Sequence, residues 1–547
     1  MPTDRSQTTL LHRSRQWLSR LTGSDETPQQ FLELIDNRPD NERPNRMCIC
    51  LSDIHLTDGT VGFQNLPIKI WEDFYNTIKT RCKKYGIEEL VFVIDGDFID
   101  MIRTDKWTVN GVYPWQRDNK KFPDIVLSIA KDIVKKHEKF FSWLKALPSK
   151  IEHDCGARTT TVVLLGNHDK ELFVYPVALE YFYREGLGID PRDPALLTQQ
   201  YREAIGRMYS GDPKMFSDPA STPYLPFYYG DCGFRFFTTH GQWRDEANSK
   251  AVRRGPNRPG WKAADGWRMK VWQELRYEPF FAPCFGDTVA AGVLSTFIYK
   301  VKKQLKAADY HDPRLLRIMD ELDLYRPTYA ALIRIIDETH DMQRKKRGAD
   351  AVQIIQDTLY QCIMDWLNWD YTYESSPWAR QMLLKTARWG LEISKKIGHG
   401  IEITFLEYVM KAMYRFEAWN PCKKAGEKLQ VMKTFPAFLP KYRHYKFQIH
   451  GEGHTHIPLQ EEPQIKTSAG RPCSYINFGT WRNQILLRKE RGYRRRGVLR
   501  ALFILDIENY RKDIKEARSF NYFTEDIIHW NDQYDDVTST DSLAPNL

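Results

Sequence analysis

Five short clusters of Asp, His and Asn, each at or shortly after the end of an apolar run, constrain the fold of this chain more than any other feature. The apolar runs are Met47–Leu51, Leu90–Ile94, Thr161–Leu165, Phe234–Thr238 and Tyr445–Ile449. The clusters are Asp53-Ile54-His55, Asp95-Gly96-Asp97 with Asp100, Gly166-Asn167-His168-Asp169, His240-Gly241 and Gly453-His454-Thr455-His456. Continuous apolar runs are typical of buried strands, and in layered α/β folds functional side chains collect at the carboxyl ends of such strands. The sequence therefore predicts one site that is built from all five clusters.

Helical periodicity and further apolar runs fill the sequence between and after the clusters. Apolar residues in Ile68–Tyr85 and Ile125–Leu147 follow a helical pattern, which predicts helices there. Two more strands, Ser474–Phe478 and Val498–Ile507, are expected after the last cluster. This alternation predicts an α/β fold in which sheets are flanked by helices.

The pattern of apolar residues changes between the fourth and fifth clusters, where helical periodicity is almost continuous. The predicted helices are Thr288–Leu305, Pro313–Tyr325, Tyr329–Arg344, Ala349–Trp369, Trp378–Lys396 and Ile403–Trp419. Such helices must bury their apolar stripes on one another or on the α/β frame. We therefore divide the chain into a basic appendage and linker (1–44), an α/β domain in two parts (45–246 and 440–510), an all-helical insertion that caps the site (247–439) and a C-terminal tail (511–547).

Length and composition restrict the class of protein. A chain of 547 residues is expected to form more than one domain, and its 42% hydrophobic and 28% charged residues are typical of a globular protein. The net charge of +9 fits an anionic substrate or an acidic membrane surface, but does not by itself indicate nucleic acid. The nine cysteines form no C-x-x-C pair, which suits a reducing cytoplasm, and Cys48 and Cys50 are expected to be buried on one face of a strand.

Membrane association depends on two weaker features. Leu10–Leu21 has the pattern of a basic amphipathic helix, for which packing on the domain or a frayed terminus is favoured over a lipid anchor. Pro279–Tyr299 is interrupted by proline, glycine and aspartate, which argues against a transmembrane helix. For the apolar stretch Phe280–Tyr299 a buried cap helix is favoured over an acyl-chain pocket or a membrane contact. No signal-peptide pattern follows the polar Met1–Thr9. We expect a cytoplasmic protein, with peripheral membrane contact as the alternative.

The side chains in the five clusters are those that divalent cations require. Carboxylate, imidazole and amide oxygen bind Mn²⁺, Fe and Zn²⁺ without any thiolate. One such cluster is a weak indication, because Asp-x-His or Gly-Asn-His-Asp occurs by chance. Five clusters in this order, each after an apolar run, predict a metal site.

The whole series, ending in Gly-His-Thr-His-x-Pro, resembles the calcineurin-like metallophosphoesterases over roughly 45–246 and 440–510. It is most similar to the bacterial branch of that family that contains UDP-2,3-diacylglucosamine pyrophosphohydrolase. The resemblance implies a sandwich of two mixed β-sheets and two divalent metal ions, Mn²⁺ first, with Fe or Zn²⁺ as alternatives. By motif, the ligands to the first metal are Asp53, His55 and His456, those to the second are Asn167, His240 and His454, and Asp97 bridges both.

The same resemblance implies a reaction. A hydroxide that bridges the two metals would attack a phosphodiester or pyrophosphate bond. His168 would protonate the leaving oxygen, and Asp169 would orient the His168 ring. Asp100 would be a carboxylate that contacts the metal ligands without binding a metal itself. The family commonly has Arg directly after the residue that matches Asp100, whereas here Met101 stands there and Arg103 lies two residues further on.

Substrate contacts are less well indicated than metal ligands. A group of basic residues follows the fourth cluster and could hold a second phosphate, although a solvated loop explains them equally well. These residues are Arg244, Lys250, Arg253, Arg254 and Arg258. Arg103 is a further candidate for a phosphate contact. We expect the partner to be an anionic, phosphate-containing substrate, such as a nucleotide-linked lipid.

Two other functions stay open at this point. The first is a nuclease on the same fold, since the basic runs Arg344–Arg347 and Arg494–Arg496 could meet nucleic acid, although such runs are usually solvated faces. The second is a catalytically silent scaffold that binds protein. Scaffolds of this kind typically lose metal ligands or the histidine of the third cluster, and this chain retains them all. The sequence does not indicate an oligomeric state.

Overall fold

The computed structural model describes twelve strands in two sheets and the helices around them. The described residues are 44–62, 66–191, 225–231, 233–242, 245, 247–249, 282–326, 329–396, 447–462, 465–466, 470–487, 492–506 and 522–530. The predicted appendage (1–44), apart from Pro44, and the predicted helix Ile403–Trp419 lie outside them, as do Arg244, Lys250, Arg253, Arg254 and Arg258. None of the described helices combines the length and the apolar character that a membrane crossing needs.

The first half of the α/β frame alternates strands with helices, as the sequence predicts. In chain order its elements are β1 (Arg46–Leu51), α1 (Ile68–Tyr85), β2 (Glu89–Ile94), α2 (Lys106–Asn110), α3 (Phe122–Lys136), α4 (Glu138–Cys155), β3 (Arg158–Val163), α5 (Lys170–Val174), α6 (Pro176–Tyr181) with a π-helical turn (Phe182–Leu187), β4 (Tyr229–Asp231) and β5 (Phe236–Thr238). Helix α1 has the predicted bounds, and it ends where Gly86 adopts the left-handed conformation (φ 56°).

Helices α3 and α4 correct the prediction of one helix over Ile125–Leu147. The chain leaves helical geometry at His137 (φ −110°, ψ 32°) between the two helices. The His137 ring donates from Nε2 to the carbonyl oxygen of Thr57 at 2.8 Å, so a tertiary contact fixes the break. Periodicity alone does not report a contact of this kind.

The middle of the chain is mostly helical. Its elements are α7 (Phe285–Asp287), a π-helical segment (Thr288–Ser295), α8 (Thr296–Ala307), α9 (Pro313–Glu321) with a 3-10 turn (Leu322–Leu324), β6 (Tyr325–Arg326), α10 (Tyr329–Arg344), α11 (Ala349–Asn368), α12 (Asp370–Glu374) and α13 (Trp378–Lys396). These helices pack on one another through a core that includes Phe297, Leu315, Ile335 and Trp366, and Ile485 and Tyr493 of the frame belong to the same core. The prediction of an all-helical insertion is wrong at β6, because Tyr325 and Arg326 pair in parallel with Ile485 and Leu486 of the frame.

The last part of the chain completes both sheets. Its strands are β7 (Ile449–Glu452), β8 (Leu459–Glu461), β9 (Ser474–Asn477), β10 (Gln484–Leu487), β11 (Tyr493–Leu505) and β12 (Tyr522–Trp530). One sheet has the order β3-β2-β1-β11-β10-β6, with β12 also paired to β11, and the other has the order β4-β5-β7-β9-β8. The predicted tail (511–547) therefore contributes a strand to the first sheet.

Both sheets are mixed, and they pack face to face. Strands β1, β2 and β3 are parallel while β11 runs antiparallel to β1, and β5, β7 and β9 are parallel between antiparallel edges. A shared apolar layer joins Cys48 and Cys50 of the first sheet to Phe236, Ile449 and Ile476 of the second. The burial predicted for the two cysteines is confirmed. The opposite face of β1 packs on the helices, so the frame is a mixed α/β structure with two mixed sheets and helices on that face.

Candidate metal centre

The five predicted clusters lie in loops just after the carboxyl ends of β1, β2, β3, β5 and β7. Main-chain hydrogen bonds fasten these loops to each other. The amide of His55 donates to the carbonyl of Asp97 (2.9 Å), and the amide of Gly453 donates to the carbonyl of His240 (3.1 Å). The amide of Met101 donates to the carbonyl of His168 (2.8 Å). The clusters therefore meet in one place, although up to 403 residues separate them in the chain (456 − 53).

Backbone strain is concentrated at the predicted ligands. Eight non-glycine residues in the described ranges have a positive φ, and five of them belong to the clusters. These five are Asp53 (57°), His55 (53°), Asp97 (48°), His454 (64°) and His456 (58°). Such conformations cost about 1–3 kcal/mol each and persist where the surrounding structure imposes them, most often at functional sites. The five strained residues are those whose side chains point into the two groups of ligand atoms.

Two glycines make the close approach of the loops feasible. A Cβ atom at Gly166 would overlap the main-chain amide and carboxylate of Asp97, and one at Gly453 would overlap the Ser52 hydroxyl and the Asp53 carboxylate. Any other residue at these positions would push the third and fifth clusters away from the first two.

The first group of ligand atoms consists of Asp53, His55, Asp97 and His456. His55 Nε2 lies 3.0 Å from His456 Nε2 and 3.6 Å from both Asp53 Oδ1 and Asp97 Oδ2. Ligands that are each about 2.0–2.2 Å from one metal lie about 3.0–3.5 Å apart. These buried side chains could therefore hold a metal ion.

Hydrogen bonds to one carboxylate oxygen of Asp53 leave the other oxygen facing the first group of ligand atoms. Its Oδ2 accepts hydrogen bonds from the Ser52 hydroxyl (2.6 Å) and the His454 amide (2.9 Å). Its Oδ1 is buried and faces ring nitrogens of His456 (3.1 Å) and His55 (3.6 Å). A cation among these atoms would complete the environment of this carboxylate oxygen.

The second group consists of Asp97, His240 and His454, and Asn167 lies against it. His240 Nε2 is 3.2 Å from Asp97 Oδ2 and 3.3 Å from Asn167 Oδ1. His454 Nδ1 is 2.8 Å from Asn167 Oδ1. Asp97 is common to both groups, and the structure brings together the residues that the sequence assigns to each metal.

Hydrogen bonds fix the tautomers of three of these histidines. His55 donates from Nδ1 to Asp100 (3.1 Å), and His240 donates from Nδ1 to the carbonyl of Asp95 (2.7 Å). His454 donates from Nε2 to Asp245 (3.0 Å). In each ring the other nitrogen faces the ligand group and would bind a cation after losing any proton it carries, which is the arrangement that metal-bound histidines adopt.

The charges within the centre are strongly coupled. Burial alone would raise the pKa of Asp53 and of Asp97, but neighbouring histidines, His240 foremost, hold both below their usual range. Burial alone would lower the pKa of His240, but Asp97 and Asp53 outweigh it and raise that pKa to about 10. A proton on His240 thus balances the carboxylates in the metal-free protein, and a bound cation would take its place.

Asp100 links His168 to the first group. Its Oδ1 accepts from His168 Nδ1 (2.9 Å) and its Oδ2 from His55 Nδ1 (3.1 Å). Although these three side chains are close enough to hold an ion, both ring nitrogens nearest Asp100 are already used as donors. The triad is therefore a hydrogen-bonded support for the centre.

The predicted role of Asp169 is wrong in one respect, because its carboxylate does not touch the His168 ring. Asp169 Oδ1 accepts from the amide of Gly166 (2.7 Å), and Oδ2 accepts from the amide of Phe98 (3.1 Å). The Asp169 carboxylate thus links the loop after β3 to the loop after β2. Asp100 orients His168 instead.

Arg103, a predicted substrate contact, is buried (6% exposed) beside the centre. Its Nη1 lies 3.5 Å from both Asp100 Oδ2 and Asp323 Oδ2, and Arg482 Nη2 lies 2.5 Å from the same oxygen of Asp323. Asp323 belongs to the helical middle of the chain, so this ion-pair cluster fastens that part to the centre.

Asp245 and Arg326 were missed at the sequence level. Asp245 orients His454, and its pKa falls to about 2 because hydrogen bonds from His454 and Asn248 outweigh its burial. Arg326 donates from Nη2 to His456 Nδ1 at 3.3 Å. Neither residue belongs to a cluster, and only the folded chain brings them to the ligands.

Asp245 gives a direct test of the second ligand group. Replacing Asp245 by Ala should weaken divalent-cation binding at one of two sites by about 10- to 100-fold, because His454 loses the partner that fixes its tautomer. Chelator-competition titration of metal-free protein with Zn²⁺ measures this. Asp309→Ala, which removes an exposed Asp contact to His311, is the matched control and should leave both affinities unchanged. Unchanged binding in Asp245→Ala would contradict the assignment.

Comparison with known proteins adds no family to this picture. No protein-family model matches the chain, and a search of curated proteins finds no significant match.

Proposed function

We propose that the protein is a binuclear metal-dependent phosphohydrolase that cleaves a phosphodiester or pyrophosphate bond, as in the calcineurin-like metallophosphoesterases that its clusters resemble. The observation that carries the proposal is the membership of Asp97 in two adjacent groups of buried ligand atoms. A shared carboxylate can hold two cations about 3.5–4 Å apart, a separation that suits an in-line displacement at phosphorus.

The residues that would hold the two cations follow from the two groups. Asp53, His55, His456 and Asp97 would hold one, and Asn167, His240, His454 and Asp97 the other. Mn²⁺ is proposed first, with Fe or Zn²⁺ as alternatives. When bound, the cations would supply Lewis acidity and make a water molecule nucleophilic near neutral pH.

The charge of the centre favours an anionic substrate. Asp53 and Asp97 contribute two negative charges, which offset only half of the charge on two divalent cations. The neighbouring histidines are neutral when they act as ligands and add nothing to this balance. The carboxylates of Asp100 and Asp245 behind the ligand rings offset part of the remainder, while Arg103 and Arg326 add positive charge beside the centre. The balance stays positive and favours a phosphoryl group.

His168 is placed to move a proton to the leaving oxygen. Its Nδ1 donates to Asp100, and its main-chain amide donates to Asp97 Oδ1 at 2.8 Å, so both ring and backbone are fixed. Burial lowers the pKa of His168, which favours the neutral ring before substrate binds. An anionic phosphoryl group beside the ring favours its protonation, and Nε2 can then donate that proton as the bond breaks.

Two observations weigh against the alternatives. A silent scaffold would be free to lose the ligands and His168, yet all are present and converge. The basic runs are partly neutralised by ion pairs within the chain, since Arg344, Lys345 and Arg347 lie 2.7–3.7 Å from Asp341 and Arg495 lies 2.8 Å from Glu321. They give a nuclease little support.

The direct experiment is an assay of bis-p-nitrophenyl phosphate hydrolysis with metal counting. Purified protein with added Mn²⁺ should bind two ions per chain and turn over the substrate. EDTA treatment should abolish turnover, and added Mn²⁺ should restore it. Two bound ions without turnover on this or any nucleotide-linked lipid would remove the hydrolase proposal, and no bound ions would favour the scaffold.

A further inference from the structure

Two residues directly after the third cluster carry buried charges that the proposed mechanism does not use. Lys170 and Glu171 are the first residues of α5, and both are buried. Lys170 Nζ donates to the Asp287 carboxylate at 2.7 Å and lies 3.3 Å from Cys284 Sγ. Burial alone would lower the pKa of Lys170, but its neighbours, Asp287 foremost, outweigh burial and hold that pKa above its usual range. Lys170 and Asp287 therefore form a charged pair in the interior.

This ion pair connects the third cluster to the helical middle of the chain. The loop that carries Asn167 and His168 runs directly into α5, which begins at Lys170. Asp287 is the last residue of α7 and lies 117 residues further along the chain. Its carboxylate also accepts from the main-chain amide of Cys284 at 2.8 Å, so α7 holds that carboxylate in place. The Lys170 ammonium thus ties the loop of a predicted metal ligand to α7.

Aromatic side chains hold α7 from both of its ends. Trp366 donates from Nε1 to the hydroxyl of Thr288 at 2.9 Å, just after α7. The Tyr371 hydroxyl donates to the carbonyl of Pro283 at 2.6 Å, just before it. Since Trp366 belongs to α11 and Tyr371 to α12, the packed helices of the middle of the chain fix the position of α7.

Helix α7 also contacts the residues that support His454. The amide of Gly286 donates to the carbonyl of Ala247 at 2.6 Å, and a Cβ atom at Gly286 would overlap the Asn248 side chain. Asn248 donates from Nδ2 to Asp245 Oδ2 (2.7 Å), the same oxygen that accepts from His454 Nε2 (3.0 Å). One short helix therefore supports the residues behind His454 as well as the loop of the third cluster.

A buried ion pair is suited to fixing geometry more than to adding stability. The cost of removing two charges from water often exceeds their attraction, and apolar residues of similar volume can replace such pairs without loss of stability. The pair nevertheless has one favourable arrangement, because any displacement leaves a buried charge without its partner. That property suits a contact that holds a ligand loop in position.

We propose that Lys170 and Asp287 are positioning residues for the second ligand group: their ion pair, together with the Gly286 contact, holds that group in the geometry that binds its cation. This inference rests on the two cations of the proposed function. The first ligand group is linked to the helical middle through the separate ion-pair cluster around Asp323. Loss of the Lys170 pair should therefore weaken one cation site and spare the other.

Chelator-competition titration of the metal-free full chain with Zn²⁺ tests the inference without turnover. Lys170→Met should raise the Kd of one cation by about 10- to 100-fold, as for other residues that orient metal ligands, and that of the other by less than about 3-fold. A loss of folded protein would lower the occupancy of both sites equally. The double variant Lys170→Met/Asp287→Leu removes the unpaired carboxylate, so it should recover thermal stability but not the lost affinity.

Two backgrounds identify the weakened site. His456→Ala leaves the second ligand group complete, and there Lys170→Met should weaken binding of the remaining cation by the same factor of about 10 to 100. His240→Ala leaves the first group complete, and there Lys170→Met should have no effect. Gly286→Ala, which displaces α7 from Asn248 without changing any charge, should give the same selective loss as Lys170→Met.

The matched control is Lys302→Met, which removes a partly exposed lysine that pairs with Asp320 in the helical middle, and it should change neither Kd. Equal weakening of both sites in Lys170→Met, no weakening, or recovered affinity in the double variant overturns the inference. A wild-type chain that binds no cation overturns this inference and the proposed function together. Two bound cations without hydrolysis defeat the hydrolase alone, and selective weakening in Lys170→Met then still supports the positioning role.

Discussion

Replacing Asp97 by Ala should lower kcat/KM for bis-p-nitrophenyl phosphate by about 10³-fold or more and reduce the bound metal from two ions per chain towards one. Asp97 Oδ2 lies 3.2 Å from His240 Nε2 and 3.6 Å from His55 Nε2, so both ligand groups lose the same carboxylate. Metal ions contribute several kcal/mol of transition-state stabilisation, and about 1.4 kcal/mol corresponds to each factor of ten in rate. Steady-state kinetics and elemental analysis on the same sample measure both effects.

Two further variants make the Asp97 result interpretable. Asp97→Asn keeps a ligand oxygen and the Oδ1 acceptor for the His168 amide, so it should lose less metal than Asp97→Ala. Asp73→Ala removes an exposed carboxylate that pairs with Lys69 on α1 and should behave as wild type. Full activity with two bound ions in Asp97→Ala would show that the two groups do not share this residue in function.

Local sequence patterns predicted the parts of the fold that local physics determines. Helix α1 has the predicted bounds because its apolar positions recur at helical spacing and Gly86 ends it. Strands β1 and β2 coincide with apolar runs to within one residue because they are buried on both faces. The same pattern predicted that the five clusters lie together, because the loops that follow parallel strands are at the same end of a sheet.

The features that were missed depend on tertiary contacts. Strand β6 has only two residues, too short for any periodicity, and exists because Tyr325 and Arg326 meet β10. His137 breaks a helical pattern because its ring bonds to Thr57. Which carboxylate orients His168 depends on side-chain direction, and sequence adjacency favoured Asp169 over the Asp100 that makes the contact. A residue next to a histidine in sequence need not be next to its ring.

His168 is the residue whose replacement should separate chemistry from metal binding. His168→Gln should lower kcat by about 10²- to 10⁴-fold on esters with basic leaving groups, because the proton donor to the leaving oxygen is lost. The loss should be smaller on bis-p-nitrophenyl phosphate, since the weakly basic p-nitrophenolate needs little protonation. Metal content should stay at two ions per chain, because the His168 side chain belongs to neither ligand group that contains Asp97.

A series of substituted-phenyl phosphodiesters of increasing leaving-group basicity measures this effect. In the wild type kcat should depend weakly on basicity, and in His168→Gln the dependence should become steep. His153→Gln, at an exposed histidine that contacts Asp154, is the matched control and should follow the wild type. Asp100→Asn should share the steep dependence and also weaken metal binding, because Asp100 orients His55 as well as His168. An equal loss along the whole series would assign His168 to holding the phosphoryl group, with the proton supplied from elsewhere.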